Sequence, residues 1–159
     1  SCNDCPLRDE CLSLAAGTVA ERPVKAGRTR IRPRYLNYLH LECGGRIALR
    51  RRPEGDIWQG LYDLPAIESD RPLDFTELAA APPFRDMFGT LPYRLVRTIR
   101  MPKHQLSHQT LHAAYHRLAL DAWPSAAEGW TLVPYELLED YAIPRLLDRY
   151  FERIGNSDT

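Results

Sequence analysis

The pair Gly44-Gly45 constrains this chain more than any other two neighbours. A two-residue link of glycines between apolar runs marks a tight hairpin, because the favoured turns need positive φ at their centre. Before the pair, Arg34 to Cys43 is rich in tyrosine and leucine; after it, Arg46 to Arg52 alternates Ile47 and Leu49 with polar neighbours. Two antiparallel strands opening a globular domain are therefore predicted. Arg50 to Pro53 leads into a turn at Glu54, Gly55 and Asp56, and Ile57 to Pro65 reads as a short aromatic strand.

Further along, Asp74 can cap a short helix through Ala80, which Pro82-Pro83 is expected to end. Tyr93 to Met101 and Gln109 to Leu120 have the composition of strands, joined by a loop around Pro102 to His108. The C-terminal part takes helical spacing: Leu137, Leu138 and Tyr141 in one piece, then Leu146, Leu147, Tyr150, Phe151 and Ile154 behind Pro144. Strands with interspersed helices point to a mixed α/β or α+β sandwich. At 159 residues the chain has room for one such domain and a short appendage. No apolar run is long enough to span a bilayer, and no signal-peptide order opens the chain, so an intracellular protein without membrane contact is expected.

Net charge is zero, but it is unevenly spread. Arg22 to Arg52 carries +9 and the remainder −9, and 19 of the 21 basic residues are arginine, whose planar fork suits phosphate. A nucleic-acid partner fits this pattern; so does a solvated basic linker. Residues 18–33, broken by Pro23, Gly27 and Pro33, read as a connector, with Arg28, Arg30 and Arg32 placed to meet DNA phosphate.

Cys2, Cys5 and Cys11 form Cys-x2-Cys-x5-Cys within residues 1–17, a segment expected to close in a helical turn at Gly17. Thiolates so spaced can belong to a metal site completed by a histidine, to a disulfide between neighbours, or to an iron-sulfur site. Cys43, alone in an apolar stretch, is expected to be a buried core thiol.

Four ordered blocks carry a family resemblance: Glu21-Arg22-Pro23-Val24-Lys25, Arg34-Tyr35-Leu36-Asn37-Tyr38, Gly55 through Pro65, and Tyr141-Ala142-Ile143-Pro144-Arg145-Leu146. Together they resemble the connector and C-terminal domain of the MutY adenine DNA glycosylases. That resemblance implies an α/β (α+β) domain over residues 34–155 of the Nudix, MutT-like kind, a mixed sheet flanked by helices, behind a short N-terminal tail. It implies that Cys2, Cys5 and Cys11 are the last three ligands of a [4Fe-4S] cluster whose fourth thiolate lies upstream of Ser1. The cluster is then a cofactor of the longer parent protein, and none is expected in this fragment.

The parent implied is a base-excision repair enzyme that hydrolyses the glycosidic bond of adenine mispaired with 8-oxoguanine or guanine, in the bacterial cytoplasm at the nucleoid. Its catalytic groups are expected in a separate N-terminal domain, which becomes a partner of this one along with the damaged duplex. The connector, residues 18–33, is a candidate docking site for other repair or replication proteins.

Lys103-His104-Gln105-Leu106-Ser107-His108 resembles that family's 8-oxoguanine-reading loop, which usually shows Phe-Ser-His. The chemistry suits the assignment, because guanine offers a bare N7 acceptor where the oxidised base carries an N7 hydrogen and an oxygen at C8. The Ser107 hydroxyl both donates and accepts, so with its backbone amide it can meet the altered edge. Leu106, where an aromatic is usual, can wedge beside a base step but cannot stack. His108 is a lesion-side helper and Lys103 a phosphate contact. A plain turn serine is the other reading of Ser107.

Two alternatives stay open. An active Nudix pyrophosphohydrolase needs a glycine, a glutamate six residues on and an Arg-Glu-x-x-Glu-Glu helix to hold Mg²⁺. Here Ala66 follows Gly60 at that distance, and Asp70, Asp74, Glu77 and Asp86 are scattered. Histidines at 104, 108, 112 and 116 would share one face of a helix as zinc ligands, but spacing of four aligns them on a strand as well, with Leu111, Ala113 and Tyr115 facing inward.

Overall fold

The computed structural model describes residues 2–22 and 31–155. The chain divides into two compact units, Ser1–Ile31 and Arg32–Thr159. In the first, short 3-10 turns at Cys2–Asp4, Arg8–Glu10 and Val19–Glu21 surround one helical turn, α1 (Leu12–Ala15). Gly17 follows it at φ 67°, the left-handed conformation that ends helices. Arg28 and Arg30 lie outside the described residues.

The second unit is built on the long strand β1 (Arg32–Cys43), which turns at Gly44-Gly45 into β2 (Arg46–Arg51). Both glycines have positive φ, 57° and 72°, so the hairpin forms as its sequence demands. β1 begins two residues before the expected Arg34, taking Arg32 out of the connector and into the sheet. Next come β3 (Tyr62–Asp63), β4 (Ala66–Ser69), α2 (Phe75–Ala80), α3 (Pro82–Phe88), β5 (Tyr93–Arg100), β6 (His104–Gln105), β7 (Gln109–Leu120), β8 (Thr131–Pro134) and α4 (Arg145–Gly155). The sheet runs β3-β2-β1-β7-β5, with β4 paired to β1, β6 to β7 and β8 to β2.

β1 and β7 are parallel over eleven register pairs, from Arg32 beside Gln109 to Glu42 beside Ala119. Central parallel strands are covered on both faces, and Leu36 to Leu41 are all buried. One face puts Leu36, Tyr38, Leu111, Ala113 and Tyr115 against Leu146, Leu147 and Tyr150 of α4. The other puts Leu39, Leu41, Leu118 and Leu120 against Leu78, Phe84 and Phe88 of α2 and α3. The mixed sheet between helices agrees with the expected α+β class.

Four local expectations need correcting. Ile57 to Leu61 is turn rather than strand, because Asp56 Oδ1 accepts from the Ile57 N–H and Gln59 and Leu61 donate back to the Asp56 and Trp58 carbonyls; pairing survives only at Tyr62–Asp63. Pro82-Pro83 starts a helix as well as following one, since a missing N–H costs nothing in a first turn. Residues 137–141 fall in a 3-10 turn, Tyr135–Asp140, and its C-terminal flank, rather than in an α-helix. Cys43 is half-buried at the margin of the α2–α3 face rather than fully enclosed.

The Asp74 cap is as expected: its carboxylate accepts from the Glu77 N–H while Glu77 accepts from the Asp74 N–H, a reciprocal box.

Candidate nucleic-acid interface

The segment after β5 is a miniature hairpin. Met101 N–H donates to the Ala113 carbonyl at 2.9 Å, and β6 pairs with β7 through His104 beside Leu111 and Gln105 beside Thr110. Leu106 N–H then closes on the Gln109 carbonyl at 2.8 Å, which leaves Ser107 and His108 as the two tip residues. Among the described residues no non-glycine position has positive φ, so this tip lacks the backbone that relaxes most two-residue hairpins.

Side chains hold it instead. Thr110 Oγ1 donates to Gln105 Oε1 at 2.8 Å, and Gln105 Nε2 donates to the Leu106 carbonyl at 3.0 Å and the Gln109 carbonyl at 3.4 Å. Arg34 Nη1 donates to Gln109 Oε1 at 3.2 Å while its Nε and Nη2 grip the Glu68 carboxylate. That carboxylate is held below its usual range, first by the hydrogen bond from Arg34, and the arginine is raised by the same bond. Arg32 N–H donates to the His108 carbonyl at 3.1 Å, tying the start of β1 to the tip.

Within this frame Ser107 and His108 are exposed. Neither the Ser107 hydroxyl nor its N–H has a protein partner among the described residues. Both point of need and point of supply coincide there: a donor and a donor-acceptor, unspent, on a braced tip. Lys103 and Arg32 are exposed beside the same hairpin. Leu106, read from sequence as a wedge, is half-buried against the α4-side core, where it anchors the tip. Arg34, Gln105 and Thr110 were not singled out by the sequence; the Arg34 brace spans 75 positions to Gln109, beyond the reach of local pattern.

The four histidines do not share a helix. His112 lies on β7 stacked against Tyr35, ring centroids 4.9 Å apart. His116 is buried, its Nδ1 2.9 Å from Thr98 Oγ1, and burial lowers its pKa to about 4. Among the described residues no three His, Cys, Asp or Glu side chains converge to hold a metal. Cys2, Cys5 and Cys11 are not gathered into such a group among the described residues. The acids around the Nudix position are spent elsewhere, Glu77 on Arg71 and on the α2 cap, Glu68 on Arg34.

Two buried polar clusters lie on β1 and β3, away from the tip. His40 is enclosed between Tyr150 Oη, 2.7 Å from Nδ1, and Tyr135 Oη, 2.6 Å from Nε2; burial lowers its pKa to about 4. Asp63 is buried against Arg52, with Nη2 at 3.0 Å, and desolvation outweighs the pairing and pushes the carboxyl up to about 6.

The family model described as the NUDIX domain matches residues 37–153. Among solved structures, the C-terminal domain of mouse MUTYH, determined in complex with human PCNA, has a TM-score of 0.60 at 19% identity, covering 79% of this chain and 89% of that one. The MutT protein of Methanosarcina mazei Go1 gives 0.58 at 17% identity, covering 81% and 97%. RenU, a Nudix hydrolase of M. smegmatis, gives 0.54 at 12%, covering 80% and 86%. No curated protein matches the sequence. No helix among the described residues is long and apolar enough to cross a membrane.

Proposed function

We propose that this chain, which belongs to the NUDIX domain family, reads 8-oxoguanine opposite adenine for a MutY-type adenine DNA glycosylase. The observation that carries the reading is the braced Ser107-His108 tip with its unspent hydroxyl and amide. An oxidised purine brings an N7 hydrogen and a C8 oxygen to such a pair; a normal guanine leaves one of the groups unpaired, at about 1 to 3 kcal/mol. The fold-level likeness to the MUTYH C-terminal domain supports the same reading.

His108 approaches the lesion strand, Lys103 and Arg32 its phosphates, together with Arg28 and Arg30 of the connector. Glycosidic-bond cleavage belongs to a catalytic domain joined through residues 18–33, where Cys2, Cys5 and Cys11 complete a [4Fe-4S] site with a fourth thiolate. The connector also docks replication or repair factors, a proposal suggested by the MUTYH domain's complex with PCNA.

Pyrophosphate hydrolysis is the weaker reading, because Ala66 stands six residues after Gly60 where that chemistry needs a glutamate, while Asp74 and Glu77 cap α2 and Glu77 pairs with Arg71. Absence of product from 8-oxo-dGTP with Mg²⁺ is expected. For lesion reading, the joined protein is titrated with 8-oxoguanine:A and G:A duplexes, with and without Ser107→Ala. Preferential loss on the oxidised duplex is the expected outcome; equal loss on both makes the serine structural.

A further inference from the structure

β5 ends the sheet path, paired to β7 on one side and, among the described residues, to no strand on the other. An edge in this state presents a row of backbone N–H and C=O groups ready to pair with another extended chain. Its side chains are uncovered as well. Every residue from Tyr93 to Thr98 is exposed, with Tyr93, Leu95 and Val96 at 37%, 39% and 41%.

The charge on this edge narrows the partner. Arg94, Arg97 and Arg100 stand on β5, and no acid does. Arg94 and Arg97 lie opposite Ala119 and Arg117 in the β5–β7 register, while Val96, at the irregularity between Leu95 and Arg97, takes no register partner. Beside the edge is a depression of about 330 Å³, lined by Arg94, Val96, Arg117, Ala119 and Glu42 among others. Glu42 is the one acid in that lining, and it is committed to Arg117, whose Nη2 donates to Oε1 at 3.2 Å. Arg94 has no carboxylate partner among the described residues. Charge on an edge is a common guard against pairing with a like strand, and it tells against a second copy here, since two β5 edges brought together set arginine against arginine. Phosphate would also suit the arginines, but the leucine, valine and tyrosine exposed among them and the open backbone ladder fit a peptide strand.

We propose that β5 is a docking edge for an extended, acidic segment of another protein. The segment adds to the sheet as a strand beyond β5, sets carboxylates on Arg94 and Arg97, and seats one side chain in the depression at Val96. The inference does not rest on lesion reading, and no group of the Ser107 tip enters it.

The test is a ¹⁵N NMR titration of the full chain with a capped heptapeptide alternating glutamate and valine, following the amides of β5. Its controls are the lysine–valine counterpart, the glutamate peptide N-methylated throughout, and a DNA duplex. Saturable shifts centred on β5 and slowed hydrogen exchange of its N–H groups are expected with the glutamate peptide, and neither with the two peptide controls. Arg94→Glu and Arg97→Glu should each weaken binding by about tenfold, while Ser107→Ala leaves it unchanged. Silence toward the glutamate peptide, an equal response to either peptide control, or wild-type affinity in both arginine variants overturns the proposal. So does a response of β5 to DNA without one to the peptide, which assigns the edge to nucleic acid, or β5 shifts that grow with protein concentration alone, which assign it to a second copy.

Discussion

Two tips of equal length stand in one sheet and solve the same steric problem in opposite ways. At Gly44-Gly45 the backbone itself relaxes, with φ of 57° and 72°, and no side chain is offered to a partner. At Ser107-His108 the backbone keeps negative φ, and Gln105, Thr110 and Arg34 hold the turn from the flanks. The cost of that brace is three side chains committed to structure. Its consequence is a pair of chemically equipped residues fixed on a rigid scaffold, which is where recognition groups are found. One tip closes the fold and the other is available for work.

The comparison can be broken from below, since β1 leads into one tip and pairs with β7, which leads out of the other. His40 sits on that strand with its pKa lowered to about 4 by burial, against about 6.5 when unfolded. A depressed histidine favours the folded state above the unfolded pKa and loses that advantage as pH falls from about 6.5 toward about 4, by up to about 3 kcal/mol. His116 acts in the same direction. Asp63, raised to about 6, acts in the opposite one, stabilising at low pH and losing its contribution as pH rises through about 6. Urea denaturation from pH 7 to 4 should show His40→Asn flattening the acid loss and Asp63→Asn steepening it.

A more local break is Gly45→Val. With φ at 72° a β-branched side chain is strained, and stability should drop by about 1 to 2 kcal/mol in thermal melts. Lesion preference should survive, because this tip contributes none of the proposed reading groups. The smallest expected effect sharpens the contrast: Gln105→Ala removes the clamp on the second tip, costs about 1 kcal/mol of stability, and lowers the preference for 8-oxoguanine without touching Ser107. If preference is unchanged in that variant, bracing is not what equips the tip.

How far these features were legible follows from distance along the chain. Gly44-Gly45, the long strands and the Asp74 box are local statements, and each is recoverable from its own neighbourhood. β6 and β8, of two and four residues, are too short to carry a period. β1 is buried on both faces, so alternation could not reveal that Asn37 and His40 are enclosed polar groups. The loop between β5 and β7 was legible from the strands around it, but the role of its tip came from family resemblance alone, and its brace depends on Arg34 meeting Gln109 and Glu68 across a tertiary contact. Leu106 shows the converse, since a residue named for DNA also packs, half-buried, against the α4-side core.

The central claim is that Ser107 senses the N7 hydrogen and C8 oxygen of the damaged base. Binding of the joined protein to duplexes carrying guanine, 8-oxoguanine or 8-bromoguanine opposite adenine tests it most directly, because the bromo base has bulk at C8 but no N7 hydrogen. The account predicts a preference for 8-oxoguanine over both others that Ser107→Ala reduces by roughly tenfold, in line with one unmatched polar group. Equal affinity for the oxo and bromo bases, or a preference untouched by the substitution, would contradict it.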